Sequence, residues 1–200
     1  MRMDHAGKTV FAALALSFAT AALADDGNAE RGAKLAYSCM GCHGIENYKN
    51  AYPKYSVPKL AGQSAAYIAA ALAEYKAGAR WHPTMKGMAS TLSAQDHADL
   101  AAWFQGPDRA QSDSKPVGTR PAAAAPCTAC HGPNGIGTLP ENPTLAGQHA
   151  DYLAQALNDY RHGKRQNPIM GGFASQLSAD DIQAIAAYFA QQPGLATSKR

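Results

Sequence analysis

Apolar side chains recur at helical spacing in matched stretches of the chain. Tyr67, Ile68, Ala71, Leu72 and Tyr75 fall on one face of a helix, and Tyr152, Leu153, Ala156, Leu157 and Tyr160 repeat the pattern. Gly78 and Gly163 stand where each of these helices would stop. Ser93 with Asp96, and Ser178 with Asp181, have the capping-box spacing that starts a helix. Apolar Leu100, Trp103 and Phe104 follow the first pair, and Ile185, Tyr188 and Phe189 follow the second. A further helix is predicted from about Asn28 to Ser38, ahead of Cys39. No stretch alternates as a strand would, so the class is all-α.

These matches belong to an internal duplication. Leu60-Ala61-Gly62-Gln63 returns as Leu145-Ala146-Gly147-Gln148, an offset of 85 that persists to Trp103-Phe104 against Tyr188-Phe189. Upstream, Cys39-Met40-Gly41-Cys42-His43 returns as Cys127-Thr128-Ala129-Cys130-His131 at an offset of 88. The first half therefore carries three extra residues, assigned to the loop from Tyr48 to Ser56. Two units follow, 25–105 and 126–200, joined by 106–125. Prolines 107, 116, 121 and 126 bar a long regular helix from that joining segment, although Ala122 to Ala125 can form a turn.

The start of the chain reads as an export signal. Arg2 and Lys8 precede an apolar run from Val10 to Leu23, and Ala22-Leu23-Ala24 fits a cleavage site, so residues 1–24 are expected to be removed after Ala24. The competing reading is a retained membrane anchor, for which the run is short against the about 20 residues a span requires. Export makes the periplasm the expected location in a Gram-negative host.

The two C-x-x-C-H pentapeptides hold every cysteine of the chain. Cysteines three apart can bond the two vinyl groups of one haem while the next histidine ligates its iron, so Cys39, Cys42, Cys127 and Cys130 are expected to attach two haems c through thioethers, with His43 and His131 as iron ligands. Two disulfides or a shared zinc are the alternatives. Neither explains a histidine after both pairs. Units of about 80 and 75 residues bury little apolar surface unaided, so the haem is also expected to complete each core.

The sixth iron ligand separates a carrier from a catalyst. Met170 is the only methionine after His131, and the duplication places Met85 at the same position after a proline. His/Met ligation by Met85 and Met170 would close both axial positions. Met88 is the alternative for the first haem, and His82, His149 and His162 are bis-histidine alternatives. His97 reads as an ordinary surface residue.

Charge alters little. Cleavage after Ala24 leaves 16 basic and 14 acidic side chains, a formal +2, which four haem propionates would reverse. The basic residues are scattered without interleaved aromatics, so nucleic acid is not an expected partner. Peripheral membrane contact and oligomeric state stay open.

With these motifs in view the chain resembles the dihaem cytochromes c4 of the class I cytochrome c superfamily, over nearly all of 25–191. The resemblance rests on the two C-x-x-C-H sites, the Pro58 to Gln63 and Pro143 to Gln148 segments, the turns Gly78 to Arg80 and Gly163 to Arg165, and the two Pro-x-Met loops. It implies two tandem class I cytochrome c domains and a non-enzymatic electron carrier. The implied donor is a quinol-oxidising complex or a dehydrogenase, and the implied acceptor is a terminal oxidase or reductase. A cytochrome subunit of a sulfide-oxidising flavoprotein dehydrogenase, and a dihaem enzyme with one open haem, are the other readings. The resemblance further implies that the carbonyls of Pro58 and Pro143 orient His43 and His131, and that Arg80 and Arg165 meet haem propionates. Solvated surface arginine is the rival reading of the last pair. Before Cys127 the chain departs from the pattern, for it lacks a counterpart of the helix in which Gly32 would permit a close crossing. The packing between the units is left open by that departure.

Overall fold

The computed structural model describes residues 26–107 and 114–199. The expected export signal, with its cleavage after Ala24, and part of the 106–125 segment lie outside the described residues. In the first unit the helices are α1 (Ala29–Leu35), α2 (Met40–His43), α3 (Ala65–Ala77), α4 (Pro83–Ser90) and α5 (Ala94–Gln105). The second contains a 3-10 turn (Ala122–Ala124), then α6 (Thr128–His131), α7 (Ala150–Arg161), α8 (Pro168–Ala174) and α9 (Ala179–Ala190). Among the described residues the only β pairing is in isolated bridges. The all-α expectation and the duplication both hold.

Local chemistry explains the boundaries. Ser93 and Ser178 form full capping boxes with Asp96 and Asp181, which satisfy the free N–H groups at the starts of α5 and α9. Gly78 ends α3 at φ +82°, a left-handed conformation that other residues adopt only with strain. α3 then packs on α5 through Ile68, Leu100 and Phe104, and α7 packs on α9 through Leu153, Ile182, Ile185 and Phe189.

The units differ at their N-terminal edges. α1 crosses α5 so closely that a Cβ on Gly32 would lie 2.0 Å from the carbonyl oxygen of Asp99. Fully buried Asp99 accepts the Asn28 N–H at 2.8 Å and pairs with Arg31, fastening the crossing. Its counterpart is Ala184, and among the described residues no helix crosses there. The segment after Ser114 instead runs along α9. Val117 exchanges hydrogen bonds with the Gln192 side chain at 2.7 and 2.8 Å, and Ala124 is fully buried in the second core.

The seam between the units has approximate two-fold symmetry. Gln63 accepts the Thr144 N–H and donates to the Thr144 carbonyl, both at 2.9 Å. Gln148 does the same to Lys59 at 2.9 and 3.0 Å. Trp81 N–H donates to Lys164 and Gln166 N–H to Ala79, each at 2.8 Å, which pairs the turns carrying Arg80 and Arg165. Two features break the symmetry. The longer first-half loop inserts Tyr55 into the second core, and Ala196 of the C-terminal tail pairs with Ala61.

Candidate functional site

Each C-x-x-C-H motif forms one helical turn. Cys39 caps α2 and Cys127 caps α6, and the His43 and His131 N–H groups each bond back to the first cysteine's carbonyl at 2.9 Å. This one-turn geometry holds both cysteines and the following histidine together on one short helix. None of the four cysteines is in a disulfide. Burial pushes the Cys39 and Cys127 thiols above their ordinary value.

The imidazoles are fixed from behind. Nδ1 of His43 lies 2.8 Å from the Pro58 carbonyl, and Nδ1 of His131 lies 2.9 Å from the Pro143 carbonyl. A carbonyl only accepts, so Nδ1 bears the hydrogen and the lone pair resides on Nε2. Burial pushes both rings below their ordinary value, against the pull of the carbonyl, and so favours the neutral form that binds a metal. Phe104 meets the His43 ring edge-on at 6.4 Å.

Met85 and Met170 occupy the same place on α4 and α8, both half-buried. Pro83 and Pro168 open these helices, and Met85 N–H and Met170 N–H donate to the side chains of His82 and Asn167 at 3.3 and 3.0 Å. His82 is thereby engaged as a helix cap. His162 is exposed and bonds its own helix at Asn158, and His149 precedes α7 at the seam. Met88 and Phe173, the aligned pair, are both exposed.

Two features depart from surface readings of the sequence. His97 is 6% exposed with Nε2 unpartnered, because the α5 face that carries it packs toward α3 near Lys76. Arg80 and Arg165 are 4% and 7% exposed, enclosed at the seam by tyrosines of both units. The nearest ion-pair partner of either is Asp159, 3.9 Å from Arg165. Both Nε–H groups are buried without a hydrogen-bond partner. Two buried guanidiniums facing one carboxylate call for further anionic charge.

Haem c fits these residues. It would be held by Cys39, Cys42 and His43 in one unit and by Cys127, Cys130 and His131 in the other, and its propionates would offer acceptors of the kind that the orphaned arginine donors lack. Signals for the seam residues were present in the duplication, since Gln63 and Gln148, Arg80 and Arg165, and Tyr67 and Tyr152 are all equivalent pairs.

Comparison with known proteins agrees with this geometry. The Cytochrome c family matches twice, over residues 29–106 and 118–193. Cytochrome c4 of Pseudomonas aeruginosa is 37% identical over 178 residues, covering 81% of this chain and 87% of the relative. A thiosulfate dehydrogenase electron acceptor of Stutzerimonas stutzeri is 37% identical over 172 residues, covering 78% of this chain and 79% of the relative. The crystal structure of reduced recombinant cytochrome c4 from Pseudomonas stutzeri superposes with a TM-score of 0.64 at 36% identity, over 83% of this chain and 99% of that one.

Proposed function

Because the chain belongs to the cytochrome c family and is a dihaem electron carrier, we propose that it shuttles single electrons in the periplasm between a respiratory-chain donor and a terminal oxidase or reductase. Bound haem iron supplies the one-electron chemistry. His43 and His131 offer Nε2 to the metal while Pro58 and Pro143 hold the rings in one tautomer. Met85 and Met170 would be the further iron ligands in this reading, leaving no position open for substrate. The observation that carries it is the matched placement of both methionines on capped, proline-initiated helices.

The thioether-to-iron charge-transfer band of the oxidised protein tests the ligand set. Met85→Ala and Met170→Ala should each remove about half its intensity. Full intensity in either variant would reject that methionine. Export is tested at the N-terminus of the mature protein, expected at Asp25. Among the described residues no helix is long and apolar enough to cross a membrane.

A second reading of the donor rests on the relative named as a thiosulfate dehydrogenase electron acceptor. In this reading a periplasmic dehydrogenase reduces the chain. Stopped-flow reduction by thiosulfate dehydrogenase with thiosulfate, against reduction by a quinol-oxidising complex, separates the two donors by rate.

A further inference from the structure

Arg80 and Arg165, with Tyr67, Tyr75, Tyr152 and Tyr160, converge on the seam. They form three pairs equivalent under the duplication, yet their contacts are unequal. Tyr152 accepts Arg80 Nη2 at 2.6 Å and Arg165 Nη2 at 3.1 Å, whereas Tyr67 accepts only Arg80 Nη1, at 3.3 Å. One phenol thus joins a cation from each unit. The guanidinium of Arg80 also lies 4.5 Å over the Tyr75 ring, and that of Arg165 lies 5.5 Å over the Tyr160 ring. The unpartnered Nε–H of each arginine remains as a donor for a haem carboxylate while Nη2 stays on Tyr152.

We propose that Tyr152 is a proton-linked bridge between the two redox units, giving up its phenol proton to solvent as an electron leaves either unit for an external acceptor and regaining it on re-reduction. The inference rests on the dihaem carrier reading above. Losing an electron raises the positive charge of a unit by one, and the two arginines carry that change to a phenol placed between them.

The surroundings single out this tyrosine. Burial alone would push the Tyr152 phenol up, but the charges of Arg165 and Arg80 outweigh it and bring it below the ordinary tyrosine value. Tyr55, in ring contact at 6.3 Å, and Tyr160 are pushed up to about 12 by burial, and burial also moves Tyr75 upward. Asp159 faces Arg165 as the carboxylate of the cluster. His82, behind Tyr55, is held by burial below its ordinary value and is neutral where Tyr152 titrates.

The sign follows from linkage. The oxidised protein has the more acidic phenol, so the midpoint potential falls as pH rises between the oxidised-state and reduced-state values, and is flat on either side. Spectropotentiometry of the dihaem protein from about pH 6 to pH 10 tests this in wild type, Tyr152→Phe and Tyr67→Phe. A tenfold difference in phenol acidity between the oxidised and reduced states of one unit would lower that unit's potential by about 59 mV across the window. Tyr67→Phe should keep that fall and Tyr152→Phe should lose it. An unchanged fall in Tyr152→Phe would overturn the proposal. The ultraviolet phenolate band of the wild type gives an independent reading, expected to rise at lower pH in the oxidised than in the reduced protein, and identical titrations would also overturn it. Counting haems by pyridine haemochrome in each variant shows separately whether both are attached, so failure of the dihaem reading is distinguishable.

Discussion

Gln63 and Gln148 each clasp the main chain of the opposite unit, and the duplication makes them the same residue used twice. Both amides are buried, so replacing either by alanine strands an N–H and a carbonyl with no water to take its place. Each variant should lose about 1–3 kcal/mol for an orphaned buried group, read as a fall in melting temperature of about 2–4 °C per kcal/mol. A melting temperature equal to wild type in either variant would show that the clasp does not hold the seam.

Gly32 has no space for a side chain. A Cβ there would lie 2.0 Å from the Asp99 carbonyl oxygen and 2.9 Å from the Trp103 Cβ, both fixed on α5. Gly32→Ala should therefore push α1 off α5 and cost about 1–3 kcal/mol as an overpacked crossing. Ala184→Gly, at the place on α9 that matches Asp99, should cost less than Gly32→Ala, because Ala184 is exposed with no helix crossing it among the described residues and the change only lowers helix propensity by about 1 kcal/mol. Paired denaturant titrations check the contrast, and equal losses would contradict it.

Asp151 ties the longer first-half loop to the second unit. Its carboxylate accepts Ser56 N–H at 3.1 Å, Ser56 Oγ–H at 2.9 Å and Lys49 Nζ at 3.2 Å. Burial would raise its pKa, but these donors outweigh burial and hold it below the ordinary carboxylate value. A depressed native value stabilises above the unfolded pKa of about 4 and is lost as pH falls through the native one. The site is partly exposed, so the contribution is under about 1 kcal/mol. The melting-temperature gap between wild type and Asp151→Asn should be full at neutral pH and close below about pH 4. A gap that does not change with pH would mean that the charge plays no part.

Short-range patterns made the architecture legible. The helices showed as apolar periodicity, their starts as capping boxes, and the cofactor chemistry as Cys39 to His43 and Cys127 to His131. The proline carbonyls behind His43 and His131 could be expected only through family resemblance, and the structure places them within hydrogen-bond distance. The duplication marked the seam residues as equivalent pairs, but no local pattern showed which residues they meet across the units. Arg80 and Arg165 can be read as surface residues in sequence and are buried at the seam, where Tyr152 of the second unit meets Arg80 of the first as well as Arg165 of its own. His97 is covered by a helix about 20 residues earlier in the chain, which no local window can sense. Tyr55 sits in the inserted loop, outside the repeat, so nothing in the duplication pointed to a place in the second core.

Met85 and Met170 depend on the residues three positions before them. Met170 stands at the third position of α8, and its N–H is held by Asn167 at 3.0 Å, while His82 holds Met85 in the same way at 3.3 Å. Removing the Asn167 acceptor frees the first turn of α8 and costs about 1 kcal/mol of cap. If Met170 ligates iron from that turn, Asn167→Ala should also weaken the charge-transfer band of one haem. Asn167→Asp, whose carboxylate can cap and also favours a helix N-terminus, should restore both stability and band. The near-infrared spectrum and the melting curve of the two variants together check this. A band that survives in Asn167→Ala while the melting temperature falls would separate the cap from the ligand, leaving the turn important for folding and irrelevant to the iron.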